Sequence, residues 1–438
     1  MDFRVPLWAV GLMAVLGFVA AIAFASIALH AERGGKRLRW LVQPVHALAD
    51  LPSLLSNFGD RTRDPYLAPS VQDAVSPPGF WRAPDAADPG YMLFSGAGIA
   101  GKPPFAQLVR LSDGKVLREY HPDVKVLAQE AAARATEATK APGLPFWVGH
   151  PDLMDDGGLL FGSSYLLSRV DACARTRWTL PGQHHSIERD ADGQIWAPAA
   201  LPTTDRRGAS TKYVPDAITR ISPDGKLTFA KPLSRIFDEN GLAALHLGKQ
   251  YSDDPFHLND IEPVLADGPH WKRGDLFLSL RHVSAVFLYR PATGKILWFR
   301  QGPWIGQHDV NILDDHRIAI FDNHSVFTPT GSEVPSHSDE LVYDFATDRI
   351  TAPWSNALKG LNVAANSNGR GTPLGDGSLF VEESNGGRIL KIGPGGDVQW
   401  RYIHADAKGV RYRLFWSRYL DPVRYGPAIQ AALAAKCA

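Results

Sequence analysis

Cysteine is nearly absent from this chain of 438 residues: it has two, Cys173 and Cys437, and neither falls in a CxxC or Cys/His spacing. A zinc site built on cysteine spacing is therefore excluded. The two thiols read as unpaired, with a bridge as the alternative in an oxidising compartment. Net charge is also missing, since 46 Lys and Arg balance 46 Asp and Glu. Nucleic-acid binders show a basic excess, so that partner class is not expected. A small anion remains compatible, because a pocket needs only local charge. There is no GxSxG, which removes the serine-hydrolase elbow. Long helical patterns are scarce, and 40 glycines with 33 prolines point to many turns.

Long hydrophobic runs are lacking too, except at the N-terminus. Leu7 to Leu29 is 23 apolar or small residues, enough to cross about 30 Å of hydrocarbon and longer than a signal-peptide core. The expectation is an uncleaved single-pass anchor, 1–31. Arg33, Lys36, Arg37 and Arg39 follow it and only Arg4 precedes it, a count that by itself keeps the remainder in the cytoplasm. Residues 32–89 read as a juxtamembrane helical segment (Leu38 to Phe58) followed by a proline- and aspartate-rich linker.

From Tyr91 the pattern turns regular. Six hairpin phrases, each an apolar strand, a D/G turn and a second strand, cover 106–120, 164–180, 217–233, 285–302, 340–354 and 387–402. Each follows a strand of the type GLLF or GSLF. The predicted fold is all-β, a six-bladed β-propeller over 90–424 with short helical insertions at 124–140 and 233–249 and a helical tail at 425–438. Twelve tryptophans suit strands packed face to face.

Histidines head several of the expected inner strands: His150 in WVGHPDL, His184 and His185 in QHHSI, His257 in FHLNDIEP and His308 in QHDVNIL. Residues at that end of an inner strand project toward the axis, so they should converge on one mouth of the channel. His282 can point either way; His270, His316, His324 and His337 read as loop or edge residues. Three chemistries can use such a cluster: a metal site, a hydrolase pair, or a histidine that itself attacks a phosphoryl or sulfuryl centre. The third needs an arginine and an amide donor close by. Asn259, two residues after His257 on one face of a strand, and Arg281 at the end of the next strand meet that need.

Taken together, HLND, DLFLSLRHVSAVFLYRPATGKILWF and GQHDVNILDDHRIAIFDN resemble the bacterial arylsulfotransferases, the PAPS-independent aryl-sulfate sulfotransferases; the likeness is dense from about His184 to Tyr402. The resemblance implies a six-bladed propeller that moves a sulfuryl group from an aryl sulfate to a phenolic acceptor through a sulfohistidine. It implies His308 as the nucleophile, oriented by Asp309 or a backbone carbonyl, with His257, Asn259 and Arg281 on the sulfuryl oxygens. His185 would be the upstream active-site histidine and His184 its register alternative. No metal and no cofactor are expected. Members of the family work outside the cytoplasm, so the catalytic domain is expected to face the periplasm from the inner membrane, against the charge count. Asp260 stands where the family commonly has serine and should add a negative charge. Extra residues around Pro269 to Lys272 lengthen the turn between His257 and Arg281. A non-catalytic or metal-binding propeller, holding a ligand or partner at the membrane, is the competing reading.

Overall fold

The computed structural model describes residues 6–32, 66–68, 77–134, 146–163, 165–201, 214–247, 254–328 and 331–437. The chain divides into two compact units, Met1–Pro65 and Tyr66–Ala438. In the first, a helix runs Leu7–Glu32. Among the described residues no helix is long and apolar enough to cross a membrane. The amphipathic segment expected at Leu38 to Phe58 lies outside the described residues.

The second unit holds six antiparallel blades. Blade 2 consists of Gly149–Leu153, Leu159–Ser163, Leu166–Val170 and Thr176–Pro181; blade 3 of Glu188–Arg189, Ile195–Ala200, Asp216–Ile221 and Leu227–Pro232. Blade 4 is Leu258–Pro263, Leu276–Leu280, Ala285–Arg290 and Lys295–Gln301; blade 5 is His308–Ile312, Arg317–Asp322, Asp339–Asp344 and Arg349–Thr351. Each inner strand comes first in its blade and pairs with the second, so the sequence order is the order from axis to rim.

Blades 1 and 6 are completed by distant segments. Blade 1 has Tyr91–Gly96, Phe105–Arg110 and Lys115–Tyr120, and its innermost strand is Arg418–Leu420 from the far end of the chain. Blade 6 has Arg370–Pro373, Leu379–Glu383, Arg388–Ile392 and Val398–Ile403, with Gly79–Arg82 added as a fifth, outermost strand. The stretch expected as linker up to residue 89 thus carries a strand of the last blade. Both closures make hydrogen-bonded ladders across what would otherwise be open edges.

The burial pattern explains why the hairpins were legible. In blade 4 the second strand LFLSL is buried at every position, the third is buried except at Arg290, and the outer strand KILWFRQ is half-exposed. Middle strands meet a neighbouring blade on both faces, so they are buried on both and largely apolar. The turns are tight: Gly225 sits at φ +83°, and a Cβ there would lie 2.6 Å from the Trp178 ring of the adjacent blade. Helices occur at Val124–Arg134, Leu233–Glu239 and Pro422–Ala434, close to the expected insertions and tail. Cys173 and Cys437 are joined as a disulfide, so the unpaired reading is corrected. The bond fastens the chain after the last helix to the outer hairpin turn of blade 2.

Candidate active site

The starts of the inner strands share one backbone feature. His150, His185, His257, Asp309 and Trp416 have φ between 47° and 61°, and Gly369 has φ 125°. Each lies within three residues of an inner strand's beginning. A non-glycine residue in the left-handed region costs roughly 1–2 kcal/mol, and five such residues around one ring mark a constrained mouth rather than chance.

His308 is 2% exposed. Its Nδ1 lies 2.7 Å from Asn323 Oδ1. Asn323 Nδ2 donates to the carbonyls of Ala365 (2.7 Å) and Asn368 (3.0 Å). With both amide hydrogens spent on carbonyls, Oδ1 can only accept, so His308 Nδ1 carries the proton and Nε2 carries the lone pair. That Nε2 is buried without a partner. Burial first, then the Arg281 charge, hold the His308 pKa well below the usual range, so the ring is neutral. The orienting side chain is Asn323, from FDN, and not Asp309. Asp309 instead pairs with Arg370 at 3.0 Å.

The other histidines converge on the same mouth. The ring centroids of His185 and His257 are 4.5 Å apart, and His257 stacks on His282 at 4.5 Å. Burial, then the neighbouring His257 and His184, lower the His185 pKa well below the usual value. His184 sits behind it: the two Nδ1 atoms are 2.6 Å apart, so one donates and the other accepts, and the far nitrogen of His184 leans toward Asp216 at 3.4 Å. His257 Nδ1 meets Asp254 Oδ2 at 2.5 Å, and His282 Nδ1 meets the Asp254 carbonyl at 2.7 Å. His150 stacks on Trp416 at 4.3 Å and leaves its Nε2 buried without a partner. Burial, Arg370 and Arg418 depress its pKa.

Arg281 and Asn259 complete the group. Arg281 Nη2 reaches Ser332 Oγ (3.4 Å) and the Asn366 carbonyl (3.3 Å), while its buried Nε has no partner. Asn259 gives one amide hydrogen to the Gln307 carbonyl at 2.7 Å and leaves its Oδ1 unpartnered. Arg370, from NGRG, is likewise buried with Nε and Nη1 free of partners. The lengthened turn near Trp271 is at the opposite end of strands 258–263 and 276–280 and does not touch this mouth; Trp271 packs there on Phe277 and Phe345.

The expectation for Asp260 also changes. Burial and the nearby Asp309 push its pKa up to about 8. It is an uncharged acid at neutral pH, accepting from Val310 N at 2.7 Å. Glu262 and Glu340, also in buried surroundings, are raised for the same first cause. Beyond this acidic layer a cavity of about 710 Å³ opens, lined by Glu188, Glu262, Asp309, Arg370 and Arg418 among others.

All the residues singled out in the sequence except His184 thus gather at one mouth, with His184 just behind. Four side chains were missed. Asn323 gave a signal in FDN but was not given a role. Asp254 and Tyr165 lie in irregular segments, and Phe327 in a three-residue strand too short for any periodicity to mark. Tyr165 stands edge-on to His184 at 5.4 Å. Burial, followed by the Asp254 charge, pushes its pKa up to about 12. Asp254, His257 and His282 also offer ligand atoms within 4.8 Å of one another, a spacing a metal ion could use. His308 is not in that group.

A family model described as Arylsulfotransferase (ASST) matches residues 168–405, which is 238 of the 438 residues. No curated protein matches the chain. Among solved structures, a protein of unknown function from Bacteroides caccae is similar at 14% identity and TM-score 0.47, over 76% of this chain and 99% of that one. Virginiamycin B lyase from Staphylococcus aureus is similar at 14% identity and TM-score 0.35, over 75% and 89%. TolB from Acinetobacter baumannii is similar at 10% identity and TM-score 0.38, over 76% and 66%.

Proposed function

The chain belongs to the arylsulfotransferase family, and on that premise we propose that it transfers a sulfuryl group from an aryl sulfate to a phenolic acceptor through a sulfohistidine at His308. The observation that carries this reading is the Asn323 network, which leaves a neutral ring with a bare, buried Nε2. In the first step Nε2 attacks sulfur and the sulfur–oxygen bond to the ring breaks. Positive charge grows on the imidazole, and its Nδ1–H bond to Asn323 strengthens. Arg281, with an unpartnered Nε, and the second amide hydrogen of Asn259 take the sulfuryl oxygens. His257, held by Asp254, gives a proton to the departing phenolate. In the second step it takes the proton of the incoming phenol, whose oxygen attacks sulfur as the nitrogen–sulfur bond breaks. Two steps through one nucleophile make the kinetics ping-pong. His185 packs on His257 and fixes its ring.

The test is incubation of the full chain with a chromogenic aryl sulfate and a phenol. Donor phenol should be released, and His308 should carry the sulfuryl adduct by mass spectrometry. No turnover, with His308→Ala folding as wild type does, sinks the transferase reading. The competing metal-binding role has one observation in its favour, the Asp254–His257–His282 cluster. It requires a stoichiometric ion that is lost on His282→Ala and kept on His308→Ala.

The proposal also places the propeller on the periplasmic side of the inner membrane. Support comes from the 23-residue apolar run and from the Cys173–Cys437 disulfide, a bond that persists in oxidising compartments. Protease accessibility in spheroplasts decides it: a protected propeller overturns this placement.

A further inference from the structure

One aromatic side chain is exposed where the fold gains nothing from exposing it. Phe327 is 60% exposed, the most exposed aromatic among the described residues of the propeller unit. It lies on Val326–Thr328, which pairs with Gly331–Glu333 in a small hairpin inserted between the second and third strands of blade 5. This hairpin belongs to no blade. It is fastened to the candidate site instead: Arg281 donates to Ser332 Oγ, Asn366 Nδ2 donates to the Ser332 carbonyl at 3.4 Å, and Ser325 Oγ donates to the Asn366 carbonyl at 2.5 Å. The Phe327 ring has the Arg281 guanidinium 4.8 Å from its centroid and the His282 ring edge-on at 5.1 Å.

We infer that Phe327 is the wall against which the aryl ring of the sulfate donor lies, so that the hairpin sets the site's preference for aromatic esters. The inference rests on the sulfuryl-transfer reading and names the part of the site that holds the carbon frame. A sulfuryl group held by Arg281 and within reach of His308 must carry its ester oxygen, and then its ring, away from both. Phe327 already stacks on that guanidinium, so a ring leaving the anion pocket on this side meets its exposed remainder. The geometry is complementary in charge as well. The face of Phe327 attracts the cation, which leaves the guanidinium hydrogens in their own plane for the sulfuryl oxygens. An edge of the substrate ring can then pack on the exposed remainder of Phe327.

The test compares wild type, Phe327→Ala and Phe327→Tyr, as full chains in detergent, with 4-nitrophenyl sulfate and the two-ring 4-methylumbelliferyl sulfate as donors. Inorganic sulfate serves as a ringless competitor. For Phe327→Ala, KM should rise by about tenfold for the one-ring donor and more for the two-ring donor. Its kcat and the inhibition constant of inorganic sulfate should both move by less than about threefold. Phe327→Tyr should stay near wild type. If kcat and sulfate affinity fall together while the ratio between donors is unchanged, Phe327 only holds Arg281 in place and the inference is overturned. Absence of turnover in the wild-type chain strikes the transfer reading alone. The inference is then decided by calorimetric binding of 1-naphthalenesulfonate, and equal affinity for wild type and Phe327→Ala overturns it.

Discussion

Replacing Asp260 with asparagine should make the propeller more stable at neutral pH, by an amount that grows with pH up to about 8 and then levels off. The Asp260 side chain is buried, and its pKa is pushed from 3.8 up to about 8 by burial and by Asp309. The sign follows from proton counts. Between these two values the folded chain holds a proton that the unfolded chain has released, so unfolding liberates a proton and stability falls as pH rises. The interval corresponds to about 5–6 kcal/mol at about 1.4 kcal/mol per pH unit. An asparagine in the same place keeps the bond from Val310 N (2.7 Å) through its Oδ1 and has nothing to titrate. Urea unfolding of the full chain in detergent, followed by tryptophan fluorescence at pH 5, 6, 7 and 8, gives the comparison. The difference between variant and wild type should widen by about 1.4 kcal/mol per unit. Parallel stability curves would refute the reasoning, since they would mean that Asp260 is ionised in the fold.

Asn323→Leu removes the acceptor that fixes His308 and leaves the carbonyls of Ala365 and Asn368 without their donor. The burst of donor phenol should slow by about 10- to 100-fold, as expected for about 1–3 kcal/mol. Asn323→Asp places a carboxylate against Nδ1 and raises the His308 pKa. The burst rate, which in wild type should hold on the acid side of pH 6.5 because the ring is already neutral there, should then fall in that range; an unchanged acid limb counts against the tautomer assignment. Cys173→Ser opens a loop of 264 residues and should cost about 2–5 kcal/mol, read as a lowered urea midpoint with unchanged KM.

The blades were legible because a middle strand with neighbours on both faces has to be largely apolar, and a tight D/G turn follows it. LFLSL and AVFLYR show this in seven letters or fewer. The two closing strands were not legible for the converse reason. Arg418–Leu420 and Gly79–Arg82 are three and four residues long and pair with partners more than 300 residues away in sequence, so no local pattern announces them. The site was half legible. Residues fixed to the start of an inner strand, such as His185, His257 and His308, recur at a recognisable place in each unit. Asp254 and Tyr165 reach the same mouth from irregular segments and Phe327 from a short inserted hairpin, and only the folded chain brings them together.

One physical effect accounts for the neutral groups of this channel. Burial disfavours whichever form is ionised, so it moves bases down and acids up. His150, His185 and His308 are driven toward neutral imidazole, and Asp260, Glu262 and Glu340 toward neutral acid. A guanidinium does not shed its proton under the same pressure. Burial lowers the Arg281 pKa too, yet from a starting value far above neutral, so its charge persists. Desolvation therefore neutralises these groups and leaves Arg281 charged in the His308 mouth, while Asp254 stays ionised there because His257, against its carboxylate, lowers its pKa. This is also how an aspartate can stand beside Asn259 in that mouth: burial and Asp309 push the carboxyl toward its uncharged form.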